Sequence, residues 1–131
     1  MTTGIVMSLT DEQVGEIEAR AKVATKGAWR VGEWMPRETV GRHQVVVDTD
    51  EGPYVILEGN QNFIDDANEN AAFVAAANPA AILSIIADAR RYRWLRSNAY
   101  GSMHYGELES LFGYNDDVID EKIDAKIKAS Q

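Results

Sequence analysis

Seven consecutive residues, Arg90-Arg91-Tyr92-Arg93-Trp94-Leu95-Arg96, form the one stretch whose residue types could grip a nucleic acid. Arginines interleaved with aromatics hold phosphates and stack on bases. Arg90, Arg91, Arg93, Trp94 and Arg96 are therefore candidate contacts for nucleic acid or for another partner. The same residues have a structural use. Cations in the last turns of a helix complement its dipole, and Tyr92, Trp94 and Leu95 suit a core or an interface. The arginines can also pair with acids of the C-terminal segment, within the chain or across a dimer. The structural use is favoured, because nucleic-acid affinity rests mostly on phosphate neutralisation. This chain carries 21 Asp and Glu against 13 Lys and Arg, a net charge of −8.

A row of acids is the second pattern. Asp116, Asp117, Asp120, Glu121 and Asp124 lie near the end of the chain, and 116, 120 and 124 fall on one side of a helix. Such a row can imitate a phosphate backbone or dock to a basic groove. The ordinary alternative is a solvated helix face with nearby lysine partners.

Other chemistry is thin. His43 and His104 are the only histidines and lie far apart, so a metal site or a triad would need carboxylates brought in by the fold. Asp48-Thr49-Asp50-Glu51-Gly52 resembles half of a calcium loop but lacks the later bidentate glutamate, and a hairpin turn uses the same residues. The glycines at 52, 59, 101 and 106 lack the spacing and lysine of a phosphate loop, and no nucleophile elbow occurs. With no cysteine, disulfides, thiol catalysis and thiolate metal sites are excluded. The sequence gives no reason to expect a cofactor, a metal or a catalytic residue, and the expectation is a protein that is not an enzyme.

The elements that must position these residues follow from periodicity. Thr10, followed by Gln13, is a capping box for a helix from Asp11 to about Ala24, with Val14, Ile17, Ala21 and Ala24 on one face. The pattern then turns strand-like at Trp29–Val31, with Trp29 and Val31 on one face. It continues at His43–Asp48, followed by turn residues 49–53 and a return strand at Tyr54–Leu57. The unbroken apolar runs of both strands predict cover on part of each face. Asp65 or Asp66 can cap an alanine-rich helix in which Phe73 is the one large residue. Asn78-Pro79 then caps and opens a further helix to Arg96, with Ile82, Ile85, Ile86, Ala89 and Tyr92 on one face. Residues 97–106 read as a loop, 107–112 as a short helical turn, and Val118, Ile119, Ile123 and Ile127 as the apolar side of a last amphipathic helix.

Two segments carry a resemblance. Lys22-Val23-Ala24-Thr25-Lys26-Gly27-Ala28-Trp29-Arg30-Val31 resembles the opening of the Ead-like family of lambdoid bacteriophage early proteins, with Ala28 in place of a proline. Asn70-Ala71-Ala72-Phe73-Val74-Ala75-Ala76-Ala77-Asn78-Pro79-Ala80-Ala81-Ile82-Leu83 resembles that family's longer signature. The resemblance covers roughly residues 12–90, and the tail is similar to those of other small phage and prophage proteins. It implies an accessory phage or prophage protein expressed early in a bacterial host, and no reaction. Trp29 and Phe73 also read as core aromatics, Gly27 as a cap and Asn78-Pro79 as a helix junction.

The expected fold is α+β: an N-terminal helix, a small antiparallel sheet of about three strands, two consecutive helices packed on it and a short C-terminal helix. Residues 1–9 are expected as a flexible tail, 10–97 as the domain and 98–131 as an appendage. Hydrophobic residues make up 45% of the 131, enough for one core. The wide apolar arc of the helix after Pro79 predicts self-association, most simply a dimer. No apolar run has the length of a membrane span and the N-terminus lacks a signal-peptide pattern, which predicts a cytoplasmic protein with no membrane partner. The function expected first is binding to a host or phage protein. The alternatives are an acidic inhibitor or DNA mimic aimed at a nucleic-acid-handling or defence enzyme, and a nucleic-acid-binding regulator.

Overall fold

The computed structural model describes residues 8–34, 40–98 and 116–129. Residues 1–7 of the expected tail, the expected loop from 99 on, the helical turn at 107–112 and His104 lie outside the described residues. The chain forms two compact units, Met1–Leu83 and Ser84–Gln131. Their boundary falls inside a helix, upstream of the sequence boundary at residue 97.

Helix α1 (Asp11–Val23) starts on the capping box. Thr10 Oγ1 accepts from the Gln13 N–H at 3.1 Å, and the Gln13 side chain accepts from the Thr10 N–H at 2.9 Å. Val14 and Ala21 are its buried residues, while Ile17 sits at the exposed rim of that face.

Strands β1 (Trp29–Val31), β2 (Gln44–Thr49) and β3 (Gly52–Glu58) form an antiparallel sheet in the order β1-β2-β3, which confirms the α+β class. Asp50 and Glu51 make the β2–β3 turn. Gly52 closes it at φ +117°, a conformation that costs glycine nothing. Trp29 pairs with Val47, and Val31 with Val45, so these four share one face. Between Val45 and Val46 the β3 register slips, leaving Ile56 as the extra residue of a bulge. Gln44 anchors the start of β2: its carbonyl accepts from Gly32, its N–H donates to the Gly41 carbonyl, and its side chain accepts from the Gly41 N–H at 2.8 Å. Gly32 must be glycine, since a Cβ there would lie 2.5 Å from the Gly41 carbonyl oxygen.

Helix α2 (Ala67–Ala76) lies on β1 and β2. Its buried side is the alanine stripe Ala67, Ala71 and Ala75. Ala71 and Ala75 join Val45 in the core, with Trp29, Val31, Ile56 and Val74 packed around them. The Trp29 indole N–H donates to the Thr25 carbonyl at 3.0 Å, which satisfies its one polar group. Phe73 corrects the sequence reading. It is 68% exposed, because it projects away from an alanine stripe narrow enough to bring helix and sheet close together. Asp66 takes the N-cap position as expected, but its side chain makes no capping bond.

Helix α3 (Pro79–Asn98) opens with Asn78 as cap, its Oδ1 accepting from the Ala81 N–H at 3.0 Å. Helix α4 spans Asp116–Ala129. In the second unit Ile86 of α3 and Ile123 of α4 are buried. Ile85 and Tyr92 are not, at 62% and 61% exposure, so the apolar face expected on α3 is buried only in part. Among the described residues no single helix is long and apolar enough to cross a membrane; only the bent pair α2 and α3 together reaches that length and composition.

Candidate functional site

The arginine run and the acid row meet. Arg91 sits one turn after Asp88 on α3 and faces Asp120 and Asp124, which α4 places one turn apart. Its Nε donates to Asp124 Oδ1 at 2.9 Å and its Nη2 to Asp124 Oδ2 at 2.8 Å, a bidentate pair. Its Nη1 donates to Asp88 Oδ1 at 2.9 Å and lies 3.4 Å from Asp120 Oδ2. The hydrogen bond from Arg91 holds the Asp124 carboxyl below the usual aspartate value, against the opposing effect of partial burial. The same bond, helped by the charges of Asp120 and Asp88, raises Arg91 still further above its ordinary value.

This placement separates the remaining candidates. Arg96 lies over the Tyr92 ring, 5.6 Å from its centroid. Arg90 is exposed, Arg93 and Trp94 are half-buried, and all three have interactions of their own. Asp117 and Glu121 are exposed on α4, whereas Asp116 is its first residue. The five arginine-run candidates therefore do not form one free cationic surface, and Asp120 and Asp124 do not stand as a free acidic row.

Polar pairs also lie on the sheet of the first unit, among them Tyr54, whose hydroxyl donates to Glu51. Arg30, directly across from Val46, reaches diagonally to Asp48 with Nε to Oδ2 and Nη2 to Oδ1, both at 2.8 Å. That bond holds the Asp48 carboxyl below its ordinary value. The Thr49 hydroxyl donates to the Gly52 carbonyl and accepts from the Glu51 N–H. The residues that resemble a half calcium loop are thus engaged in closing a hairpin. His43 Nε2 lies 3.1 Å from Glu58 Oε1. The other edge of its ring lies against Gly41, where a Cβ would come within 3.0 Å of Nδ1. Among the described residues no group of three metal-ligating side chains occurs. The depression along α1, lined by Glu16, Ala19, Arg20 and Val23, is open and belongs to a single helix surface.

The feature that sequence reasoning missed is an uncovered apolar face. Tyr54 pairs with Val47 and Leu57 with Val45, so both lie on the face that carries α2. Yet Tyr54 is 50% and Leu57 47% exposed. A helix is about 10 Å across and strands are about 4.8 Å apart, so one helix covers roughly two strands. Among the described residues, helix α2 packs on β1 and β2, and the β3 end of this face keeps Tyr54 and Leu57 exposed. Val55, on the opposite face beside Val46, is also partly exposed. The unbroken apolar run of β3 suggested cover; its place as the last strand was the signal against it. No family model, no curated protein and no solved structure matches the chain.

Proposed function

We propose that this is a non-enzymatic accessory protein of a phage or prophage, acting in the bacterial cytoplasm by binding a host or phage protein. The observation that carries the binding reading is the exposure of Tyr54 and Leu57, at 50% and 47%, on the sheet face that carries α2. Contiguous apolar side chains left on a sheet face are the kind of surface that partners cover. The phage context rests on the resemblance of residues 22–31 and 70–83 to Ead-like early proteins. Self-association belongs to the same reading: Ile85 and Tyr92 are exposed two turns apart on α3, with the small Ala89 between them.

The alternatives are weakened by one arrangement. An acidic mimic needs Asp120 and Asp124 unpaired, and a nucleic-acid binder needs Arg91. Asp120 and Asp124 instead both pair with Arg91. Affinity capture of the tagged protein from bacterial lysate, with and without nuclease, tests the choice. A protein partner retained after nuclease treatment is expected. Recovery that collapses with nuclease would favour the nucleic-acid reading.

A further inference from the structure

The turn between β3 and α2 is wired to hold its shape. Asn60 Oδ1 accepts from the N–H groups of Asn62 and Phe63, each at 3.2 Å. The Ile64 N–H donates to the Asn60 carbonyl at 3.0 Å, and the Ala67 N–H to the Ile64 carbonyl at 3.3 Å. At the entry, the Gly59 N–H donates to the His43 carbonyl at 2.7 Å. A Cβ at Gly59 would lie 3.0 Å from the Ala67 carbonyl oxygen and 3.1 Å from that of His43, so the turn is seated tightly between β2 and α2.

On this frame the Phe63 side chain is 86% exposed, and Ile64 beside it 45%. The turn uses only the backbone N–H of Phe63, so its wiring gives no reason for an aromatic ring at the tip. The chain on either side of it carries one sign of charge. No lysine or arginine occurs between Arg42 and Arg90, while eight acids do. Glu58, Asp65, Asp66 and Glu69, the acids nearest in the chain to Phe63, are all exposed.

We propose that residues 59–66 are a preformed docking element, in which Phe63, with Ile64, inserts into an apolar pocket of a protein partner whose rim carries lysine or arginine. This rests on the binding-module reading and names the chemistry of its partner. A turn already held in shape avoids much of the ordering cost of association. An aromatic anchor in a pocket is the usual form of a binding hot spot. The exposed acids that flank it in the chain steer a basic rim into place and repel phosphate backbones, which makes the partner a protein rather than a nucleic acid.

The test replaces Phe63 with photoreactive benzoylphenylalanine in the full chain, with Tyr54 and Leu57 replaced likewise as separate probes in bacterial cells. The expected result is one predominant adduct from position 63, mapping to an apolar pocket rimmed by lysine or arginine. Its yield falls at least threefold in the Asp65→Asn/Asp66→Asn background. Phe63→Ser lowers recovery of that protein at least tenfold, while Val23→Ser, at a residue 84% exposed on α1, leaves it within twofold. No adduct from 63, an adduct indifferent to the two acids, or an adduct on nucleic acid overturns the docking element. Adducts from 54 or 57 with none from 63 overturn it while leaving the binding-module reading standing; no protein adduct from any position overturns both.

Discussion

Arg91 and Asp124 face each other through two parallel hydrogen bonds of 2.9 and 2.8 Å, and the remaining guanidinium nitrogen is shared between Asp88 and Asp120. The Arg91 side chain is 20% exposed and the three carboxylates are 45–72% exposed. Solvent therefore screens much of the attraction, and the bidentate pair contributes about 1 kcal/mol. Arg91→Ala is expected to lower hydrogen-exchange protection of the α4 amides by roughly fivefold, in line with that energy. Asp88→Ala has the smaller effect, since Asp88 meets only the shared nitrogen. Adding salt to about 1 M narrows the gap between Arg91→Ala and the parent protein. Equal α4 protection in the two proteins at low salt would remove the pair from the account of this unit.

The same bond sets a direction for pH. The folded-state pKa of Asp124 lies below its unfolded value, about 3.9 for an ordinary aspartate. Its stabilising contribution is therefore complete above that value and is lost as pH falls through the lower, folded one. Carbon-detected NMR titration of the Asp124 carboxyl is expected to give a midpoint below about 3.9, and Arg91→Ala is expected to return it toward that value. A midpoint unmoved by Arg91→Ala would show that Arg91 is not the cause.

The edge of β3 is guarded. Gly59 donates to His43 across this pair, and Gly32 donates to Gln44 on the other side of β2. Alternation along the strands then turns Pro53 and Val55 toward the open edge. Pro53 has no N–H to offer there, and the bulge at Ile56 breaks the ladder further along. Pro53→Thr restores a donor and is expected to increase concentration-dependent association, read by light scattering. Unchanged scattering up to millimolar concentration would mean that the proline has no guarding role.

Phe73 and Ala71 are expected to reverse the usual order of importance. Phe73→Ala removes an exposed ring and should change stability by less than about 0.5 kcal/mol. Ala71→Leu forces a branched side chain between α2 and Val45 and should cost about 1–3 kcal/mol. Chemical denaturation of the two variants measures this directly.

Local chemistry made much of the fold legible. The Thr10–Gln13 capping box, the Asn78-Pro79 junction, the hairpin at Asp50–Glu51 and the shared face of Trp29 and Val31 each depend on residues close in sequence, and each could be read there. What the sequence hid depends on how many elements compete for one surface. The apolar run at Tyr54–Leu57 looks the same under a helix or beside one, and only the width of α2 decides which. Phe73 looks like a core aromatic until the alanine stripe next to it takes the buried side. The pairing of Arg91 with Asp124 was one of several open partners for that arginine, because α3 and α4 must both be placed before two residues 33 apart can be matched.

The most direct test of the binding account is quantitative mass spectrometry of proteins captured by the parent chain, by Tyr54→Ser/Leu57→Ser and by Arg90→Ala/Arg93→Ala/Arg96→Ala, all after nuclease treatment. The account predicts a partner that the parent and the arginine variant recover alike and that the sheet-face variant loses at least fivefold. A partner lost with the arginines and retained by the sheet-face variant would contradict it.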